Sequence, residues 1–389
     1  MKPSEEAQAY WKYMLSTRRY LHAHAERSEA EKETTAFIRS ELEKLPGVEI
    51  HSLGWELGAL ALIRGAVPGK ARMFRADIDG LPMDEESGLE YASEHPGVCH
   101  SCGHDIHTSI LLGLAKYLSD KRESLSGNVW LLFQPAEESL AGARKMIALG
   151  CLEQEPKPEA IYTIHCDPVY PVGAFGLICG RANTSCDKLR IVVKSAGGHG
   201  AKSHLCCDSV LTMAELLVLL KNVVAHDNNF MLPTTLTFGR IEGGVAGNVI
   251  PKQVIAEGTL RTIYPESRVR LKESIRRACS GAAEALDAEI GLEFLGDGVP
   301  SANNDEVLFE EVRALMGDAC NIMPLPLSGS EDFALYQEKL PGLYIRLGTH
   351  NTADPATQLS LHNAKIRFDE EAMLYALELY RKIIFGGEQ

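Results

Sequence analysis

The sequence has few of the features that mark several classes of protein. Ten cysteines in 389 residues are too few for a disulfide scaffold, and this favours a reducing compartment, the cytoplasm. Basic residues are outnumbered, 39 against 53 acidic ones, which gives a net charge of −14 and argues against binding to a nucleic-acid backbone. No uninterrupted apolar run approaches the ~18 residues that span a bilayer, and the N-terminal stretch lacks the apolar core of a signal peptide. We therefore expect no nucleic-acid or membrane partner.

What is present is a pattern of alternating strands and helices. A length of 389 residues is long for one hydrophobic core, so we expect two domains. NVWLLFQ and AIYTI are apolar on both faces. HTSILLGLAKYL, which precedes both of them in the sequence, has helical spacing. Strands that are buried on both faces and separated by helices predict an α/β fold with a largely parallel sheet.

The pattern changes near Asn183 and returns after Asp297. KLRIVVK alternates as a strand with one exposed face should, and the segments from it onward have the order strand, helix, strand, strand, helix, strand. This is the order of a ferredoxin-like α/β sandwich. We predict that residues 183–297 form an inserted domain, and that residues 1–182 and 298–389 together form the larger domain.

The stretch VCHSCGHDIHT, Val98–Thr108, is rich in cysteine and histidine. Cys99 and Cys102 form a C-x-x-C pair, which can indicate a redox pair or a structural zinc knuckle. A c-type haem site needs histidine directly after the second cysteine, and Gly103 stands there. A knuckle needs a second ligand pair at knuckle spacing, and none follows. Cys102 and His104 could instead bind a catalytic metal.

Acidic and imidazole side chains follow several of the predicted strands. They are Asp77, Asp79, Glu137, Glu138, His165 and His362. Because the carboxyl ends of strands in an open α/β sheet form one crevice, we expect these groups to converge. Thiolate and imidazole suit zinc-like ions, and carboxylates compensate their charge. In an adjacent pair of glutamates, one can bind metal while the other abstracts a proton from water.

Nine motifs together resemble one family. They are FRADIDGLP, CHSCGHDIHT, FQPAEE, IHCDP, SAGGHG, GNVIP, GTLRT, GSEDFA and LSLHN. From about Arg18 to its last helix, the sequence is similar to dinuclear metallo-amidohydrolases, which include hippurate hydrolase, N-acyl-amino-acid amidohydrolases, N-acetyl-diaminopimelate deacetylase and auxin-conjugate hydrolases. The resemblance implies a dinuclear-metal aminopeptidase-like catalytic domain with an inserted lid through which two subunits form a homodimer.

The resemblance also implies two divalent metal ions per subunit, with zinc or manganese preferred to cobalt or nickel. The corresponding ligands are Cys102, His104, Glu138, His165 and His362. Cys102 would bridge the ions, Glu137 would be the general base, and Asp79 would fix a ligand imidazole. Related peptidases carry His-x-Asp where this sequence has Asp77-Ile78-Asp79, which places the sequence in the amidohydrolase branch.

Four further residues acquire roles from the resemblance. His199 of the lid would enter the partner's active site and stabilise the oxyanion of the tetrahedral intermediate. Asn248 and Arg261 would hold the substrate carboxylate, because the planar guanidinium matches a carboxylate bidentately. The backbone N–H of Gly329 would line the same pocket.

The predicted reaction is hydrolysis of the amide bond of an N-acyl amino acid, with an N-acetyl, N-benzoyl or longer acyl group. A dipeptidase or carboxypeptidase that uses the same site is the alternative. A thiol-redox or structural-zinc protein built on CHSC is a rival from another class. Cys99 stands where this branch usually has methionine, and Ser203 where the lid usually has proline, so these departures bear on redox behaviour and on pocket shape.

Overall fold

The computed structural model describes residues 1–386, which divide into two compact units. The second unit comprises Asn183–Ala302 together with Pro326–Glu331, and the first comprises the remaining described residues. The longer segment of the second unit runs from Asn183 to Ala302, whereas the inserted domain was predicted over residues 183–297. The second unit also includes a short segment that is distant in sequence.

Helices and strands alternate through most of the chain. In chain order the helices are α1 (Glu5–Gln8), α2 (Trp11–Ala23), α3 (Lys32–Glu43), α4 (His104–Asp120), α5 (Gly142–Ala148), α6 (Ser209–Asp227), α7 (Pro265–Ala285), α8 (Glu306–Met316), α9 (Ala334–Gln337) and α10 (Ala372–Phe385). The strands are β1 (Val48–His51), β2 (Ala59–Arg64), β3 (Val67–Asp77), β4 (Ser126–Gln134), β5 (Ala160–Pro171), β6 (Phe175–Leu177), β7 (Gly180–Arg181), β8 (Cys186–Lys194), β9 (Gly198–His199), β10 (Thr234–Glu242), β11 (Val249–Ile250), β12 (Gln253–Thr262), β13 (Glu289–Val299), β14 (Asn303–Asn304), β15 (Cys320–Ile322) and β16 (Gly342–His350).

An eight-stranded sheet forms the centre of the first unit, in the order β1-β2-β4-β3-β5-β16-β6-β15. Its central strands β4, β3, β5 and β16 are mutually parallel, whereas β1 and β2 add an antiparallel edge. The central strands are buried on both faces because helices cover the sheet. The predicted α/β fold with a mostly parallel sheet is therefore confirmed.

Helix α4 carries part of the cysteine–histidine stretch into the core. It contacts β3 as well as α2 and α10, and it is buried on nearly all sides, as its apolar sequence requires. Its N-cap residue Gly103 has a φ of 87°, and a Cβ at this position would lie 2.8 Å from the Sγ of Cys166. Only glycine allows this backbone conformation and this close approach. The start of α4 therefore lies directly against the middle of β5.

The second unit is built on a four-stranded antiparallel sheet in the order β10-β12-β8-β13. Helices α6 and α7 pack on the sheet through residues such as Leu216 and Ile275, which meet Leu189 and Ile191 of β8 in one core. The elements follow one another as strand, helix, strand, strand, helix, strand. This unit thus has the element order of a ferredoxin-like sandwich.

Helix α6 is the one helix among residues 1–386 that is long and apolar enough to cross a membrane. This does not contradict the expectation from the sequence, which concerned uninterrupted apolar runs, because Glu215 and Lys221 interrupt α6. Met213, Leu216 and Leu220 of this helix are buried in the core of the second unit, whereas Val210 and Val218 are exposed. Because one face is packed against its own sheet, α6 is a core helix of this unit with an apolar outer face.

Candidate metal centre

Three neighbouring strands end at the same edge of the large sheet and carry polar residues there. β3 ends at Asp77, β4 ends shortly before Glu137 and Glu138, and β5 reaches the same level at His165, in the middle of the strand. Because β3 is parallel to both neighbours, the carboxyl ends of these strands meet. Residues far apart in sequence are thereby brought together.

The structure places the five predicted metal ligands in one cluster. The ligand atoms of Cys102, His104 and His165 lie within 4.8 Å of one another, as do those of Cys102, Glu138 and His362. The Sγ of Cys102 is 3.5 Å from the Nε2 of His165, and the Nε2 of His362 is 3.4 Å from the Oε1 of Glu138. Cys102 belongs to both groups, as a ligand shared by two ions must.

Two atoms of the cluster indicate that it can hold a cation. The Nε2 of His104 and the Oε1 of Glu138 lie 3.8 Å apart, and both are buried with no hydrogen-bond partner among the described residues. Buried polar atoms nearly always have a partner. A thiolate, imidazoles and a carboxylate are also the donors that zinc-like ions prefer. The residues present therefore fit a divalent metal ion.

The electrostatics of the cluster favour positive charge. Burial opposes the charged form of His104, but the carboxylates of Asp77 and Asp79 outweigh burial and raise the pKa of His104 to about 10. Burial, together with the charges of Glu138 and Glu137, raises the pKa of the Cys102 thiol well above its ordinary value. A cation among these groups would reverse the shift of Cys102 and allow its thiolate to form.

The ring of His165 is oriented for ligand binding. Its Nδ1 donates a hydrogen bond to the carbonyl oxygen of Cys166 at 2.8 Å, so its Nε2 faces Cys102. Burial and the positive charge of Arg346 lower the pKa of His165 well below its ordinary value. The imidazole is therefore neutral, with a lone pair on the nitrogen that faces the cluster.

Asp79 has the contacts expected of a residue that fixes a ligand imidazole. One carboxylate oxygen lies 3.2 Å from the Nδ1 of His104. The other accepts hydrogen bonds from the hydroxyl of Ser28 at 2.6 Å and from the backbone N–H of Glu138 at 3.0 Å. Asp79 thus connects two of the candidate ligands.

The glutamate pair follows a turn that a buried carboxyl supports. Ala136, directly before the pair, has a φ of 59°, which is unusual for a residue other than glycine. Its backbone N–H donates to the Oε1 of Glu31 at 2.7 Å. Glu137 is buried, and its ligand atom lies within 4.8 Å of those of His104 and Glu138. Sequence reasoning missed Glu31, because nothing near it in sequence marks it.

The predicted residue Asp77 is connected to Arg75, to His107 and, through Arg75, to Asp332, which the sequence analysis did not single out. Asp77 accepts hydrogen bonds from Arg75 at 2.6 Å and from the Nδ1 of His107 at 2.5 Å. Arg75 also donates to Asp332 at 2.9 Å, and Asp332 accepts from the backbone N–H of Ala143 at the start of α5. The available signals were an arginine inside an otherwise apolar strand and the aspartate of GSEDFA.

The remaining predicted site residues lie in the second unit, in two places. His199 and Asn248 line an open groove of about 1080 Å³, where the carbonyl of Asn248 accepts the N–H of Gly200. Arg261 lies elsewhere and donates to the hydroxyl of Ser330 at 2.8 Å. Gly329 lies next to this serine, and its carbonyl accepts hydrogen bonds from Thr184. Asn248 is thus grouped with His199 and not with Arg261, and the roles of all four stay predictions.

Comparison with known families decides the broader identity. The sequence model of peptidase family M20/M25/M40 matches residues 73–385. This range includes every candidate metal ligand. The chain belongs to this family. The resemblance to dinuclear metallo-amidohydrolases and their peptidase relatives is thereby confirmed.

Individual M20 relatives are similar over nearly their whole length. The chain is 36% identical to N-acetyl-L-cysteine deacetylase of Bacillus subtilis, covering 94% of this chain and 86% of the relative. It is 32% identical to thermostable carboxypeptidase 1 of Saccharolobus solfataricus, covering 93% and 92%. A solved structure of a dinuclear metal binding peptidase of the M20 family from Bacillus subtilis has a TM-score of 0.83 and 33% identity, covering 97% and 98%. The chain is a hydrolase that acts on amide bonds, as predicted.

Proposed function

We propose that this M20 family member hydrolyses the amide bond of an N-acyl amino acid and releases a carboxylic acid and a free amino acid. The observation that carries the proposal is a pair of buried atoms among the candidate ligands, the Nε2 of His104 and the Oε1 of Glu138, which lack a hydrogen-bond partner within residues 1–386. The similarity to a deacetylase of an N-acetyl amino acid supports this choice of substrate class.

We assign two divalent ions, zinc or manganese, to the cluster of five ligands described above. The donor set supports this assignment, because the thiolate of Cys102 can compensate positive charge from two ions at once. When bound, such ions polarise a carbonyl oxygen and make water easier to deprotonate. The neutral Nε2 of His165 and the oriented ring of His104 are suited to hold them.

The protein's own residues would manage the protons and the substrate. Glu137 would accept a proton from the attacking water and deliver it to the leaving amine nitrogen as the C–N bond breaks. His199 of the partner subunit would donate to the developing oxyanion. Arg261 and the N–H of Gly329 would bind the α-carboxylate, a role that a planar guanidinium suits. Asn248 would join them as a residue of the subunit that supplies His199, because it lies with His199 and apart from Arg261.

A carboxypeptidase or dipeptidase is the second candidate, because two relatives are named thermostable carboxypeptidase. Identity is lower to these relatives than to the deacetylase, 32% against 36%. In addition, Asp77 binds Arg75 and His107 here, where related peptidases carry a histidine. We therefore favour acylated amino acids over peptides with a free α-amine.

A hydrolysis screen distinguishes the two candidates. Metal-free protein is loaded with Zn²⁺, Mn²⁺, Co²⁺ or Ni²⁺ and assayed on N-acetyl, N-benzoyl and long-chain N-acyl amino acids, and on Gly-X and X-Glu dipeptides. The proposal expects faster turnover of the acylated substrates, and turnover lower by on the order of 10² to 10⁴ in Glu137→Gln. Faster turnover of the dipeptides would favour the peptidase instead.

We also propose that two copies associate through the second unit. Support comes from its exposed apolar side chains, which include Val210, Leu211 and Val218 of α6 and Val245 in the groove that His199 lines. Exposed apolar surface of this kind commonly marks an interaction site. Light scattering should give the mass of a dimer, and Val218→Glu should shift it toward the monomer.

The dimer has a functional test as well. If His199 acts in the partner's site, a mixture of inactive His199→Ala and inactive Glu137→Gln proteins should regain activity, because each hybrid dimer contains one intact site. Absence of recovery despite demonstrated subunit exchange would reject this role. Binding of the wild type to phosphatidylcholine vesicles, lost in Val218→Glu, would assign the apolar face to a membrane surface instead.

A further inference from the structure

The two strands that flank the metal centre separate at their carboxyl ends. The ladder between β3 and β5 begins where Arg72 pairs with Ala160 and ends where Arg75 pairs with Thr163. β5 continues to Pro171, paired on its other side with β16. The backbone of β5 beyond Thr163 thus needs other hydrogen-bond partners on the side of β3.

His107 of α4 occupies the gap between the strands. Its Nε2 accepts the backbone N–H of Cys166 in β5 at 2.8 Å, and its Nδ1 lies 2.5 Å from the carboxylate of Asp77 at the end of β3. All three residues are buried. The imidazole therefore replaces the missing ladder with two hydrogen bonds, one to each strand.

These contacts fix the tautomer of His107. A backbone N–H can only donate, so the Nε2 of His107 must carry a lone pair. The proton then lies on Nδ1 and is donated to Asp77. Asp77 in turn accepts from Arg75 at 2.6 Å, which compensates its negative charge.

The same contacts remove His107 from the set of metal ligands. The ligand atoms of Asp77, His104 and His107 lie within 4.8 Å of one another, so by distance alone these residues could form a metal site. The lone pair of His107 is already directed at a peptide N–H, and its other nitrogen carries a proton. A supporting role fits these residues better.

We propose that Asp77 and His107 form a positioning pair that holds the middle of β5, and with it the ligand His165, in place. The peptide held by His107 joins His165 to Cys166, and the carbonyl of Cys166 accepts the Nδ1–H of His165. Cys166 also packs against Gly103, between the ligands Cys102 and His104. Partners of this kind tune metal affinity because they fix ligand geometry. The inference rests on the proposed metal site and not on the proposed substrate.

The test measures Co²⁺ affinity in metal-free protein by chelator competition and by the absorption of the Cys102 thiolate–cobalt bond. H107L removes both hydrogen bonds and should weaken Co²⁺ binding by about 10- to 100-fold. H107Q can place its Oε1 near the former Nε2 and accept the N–H of Cys166, so it should retain most of the affinity. H107N reaches only the position of Nδ1, so it should resemble H107L.

A matched control is Ser109→Ala on the same buried helix. The hydroxyl of Ser109 donates to the carbonyl of Asp105 at 2.7 Å and forms no hydrogen bond with β5 among the described residues. This variant should lose stability without losing Co²⁺ affinity. Should H107L fail to fold, the imidazole ¹⁵N shifts of His107 in the wild type decide, because the proposal requires a protonated Nδ1 and an unprotonated Nε2.

Several outcomes would overturn the inference. H107L with wild-type affinity, or H107Q as weak as H107L, would show that the peptide hydrogen bond does not position the ligand. A lower metal-to-protein ratio in H107Q would make His107 a ligand. A wild type that binds no Co²⁺ would reject the proposed metal site and the inference with it, whereas wild-type binding without an effect of H107L would reject the inference alone.

Discussion

Replacing Glu31 with glutamine should make the stability of the metal-free protein less dependent on pH. The side chain of Glu31 is fully buried, and burial, aided by the nearby charge of Asp79, raises its pKa from 4.5 to about 7. One carboxyl oxygen accepts the N–H of Ala136, and the other has no hydrogen-bond partner among the described residues. Ionising this group therefore costs free energy in the folded state.

The magnitude and the sign follow from linkage. Because the folded protein holds this proton more tightly than the unfolded chain, stability falls as pH rises from about 4.5 to about 7. Each pKa unit is worth about 1.4 kcal/mol, so the shift costs ~3 kcal/mol of stability above pH 7. Glutamine cannot ionise, and its amide oxygen can still accept the N–H of Ala136. Relative to the wild type, Glu31→Gln should gain ~3 kcal/mol between pH 4 and pH 8.

Urea denaturation of chelator-treated protein across this pH range measures the effect. Glu33→Gln, at an exposed carboxylate of the same helix α3, controls for the loss of one negative charge. The free energies of unfolding of Glu31→Gln and the wild type should diverge through the window, while those of Glu33→Gln and the wild type stay parallel. Parallel curves for all three proteins would refute the reasoning.

The same residue should also affect turnover. Glu31→Leu leaves the buried N–H of Ala136 without an acceptor, which costs about 1 to 3 kcal/mol. Ala136 has a φ of 59° and directly precedes Glu137, so a relaxed turn would displace the general base. A displacement of about 1 Å can lower kcat on the order of 10²-fold. Glu31→Gln should keep nearly wild-type kcat, and equal losses in both variants would contradict this explanation.

Three further predictions concern the assigned roles. Glu137→Gln should keep both metals, measured by elemental analysis, yet lose on the order of 10² to 10⁴ in turnover. Glu138→Gln should lose metal as well as turnover. Equal metal loss in both variants would contradict the assignment of Glu137 as base and Glu138 as ligand. Arg261→Ala should mainly raise KM for substrates with a free α-carboxylate. Steady-state kinetics on the matching amides should show little change. If the mutation impairs turnover of the acids and of the amides equally, Arg261 does not bind the carboxylate. Cys102→Ser should lose metal and activity, whereas Cys99→Ser should stay active. Mild oxidation of the metal-free protein should form a Cys99–Cys102 disulfide, which bound metal should prevent, and thiol counting with mass spectrometry detects this bond. An inactive Cys99→Ser variant would mean that the two cysteines act as one functional unit.

The parts of the fold and site that were predictable are those written in local sequence. Periodicity separated the buried strands from the helices, and the rule that parallel strands end at one edge brought Glu138 and His165 together. The motif CGH predicts two ligands, Cys102 and His104. In the structure, Gly103 between them allows α4 to begin against β5. Such features depend on neighbouring residues, so the sequence displays them directly.

The parts that were not predictable depend on contacts between distant segments. His107 belongs to the quoted stretch, but its partner is the backbone of Cys166, which no side-chain pattern reveals. Glu31 meets Ala136 only after folding. Likewise, the segment Pro326–Glu331 joins the second unit although the pattern around it belongs to the first. Tertiary pairing, rather than propensity, decides such positions.

Metal binding to this site should be steeply dependent on pH. Asp77 and Asp79 outweigh burial and raise the pKa of His104 to about 10, and burial with nearby carboxylates raises the pKa of Cys102 well above its ordinary value. Near pH 7 both groups therefore carry protons in the metal-free protein. A metal ion must displace these protons, because only the thiolate and the unprotonated imidazole are ligands.

The logarithm of the apparent affinity should then rise by about two for each pH unit near neutrality, since about two protons leave for each site that fills. Titration calorimetry with Zn²⁺ in buffers of different ionisation enthalpy counts the released protons. Cys102→Ser removes the thiol and should lower the count by about one in any metal binding that remains. A slope near one in the wild type would mean that the carboxylates do not hold a proton on His104, because a thiol of ordinary pKa alone releases one proton near neutrality, and that the buried negative charge is balanced by Arg75 and its neighbours instead.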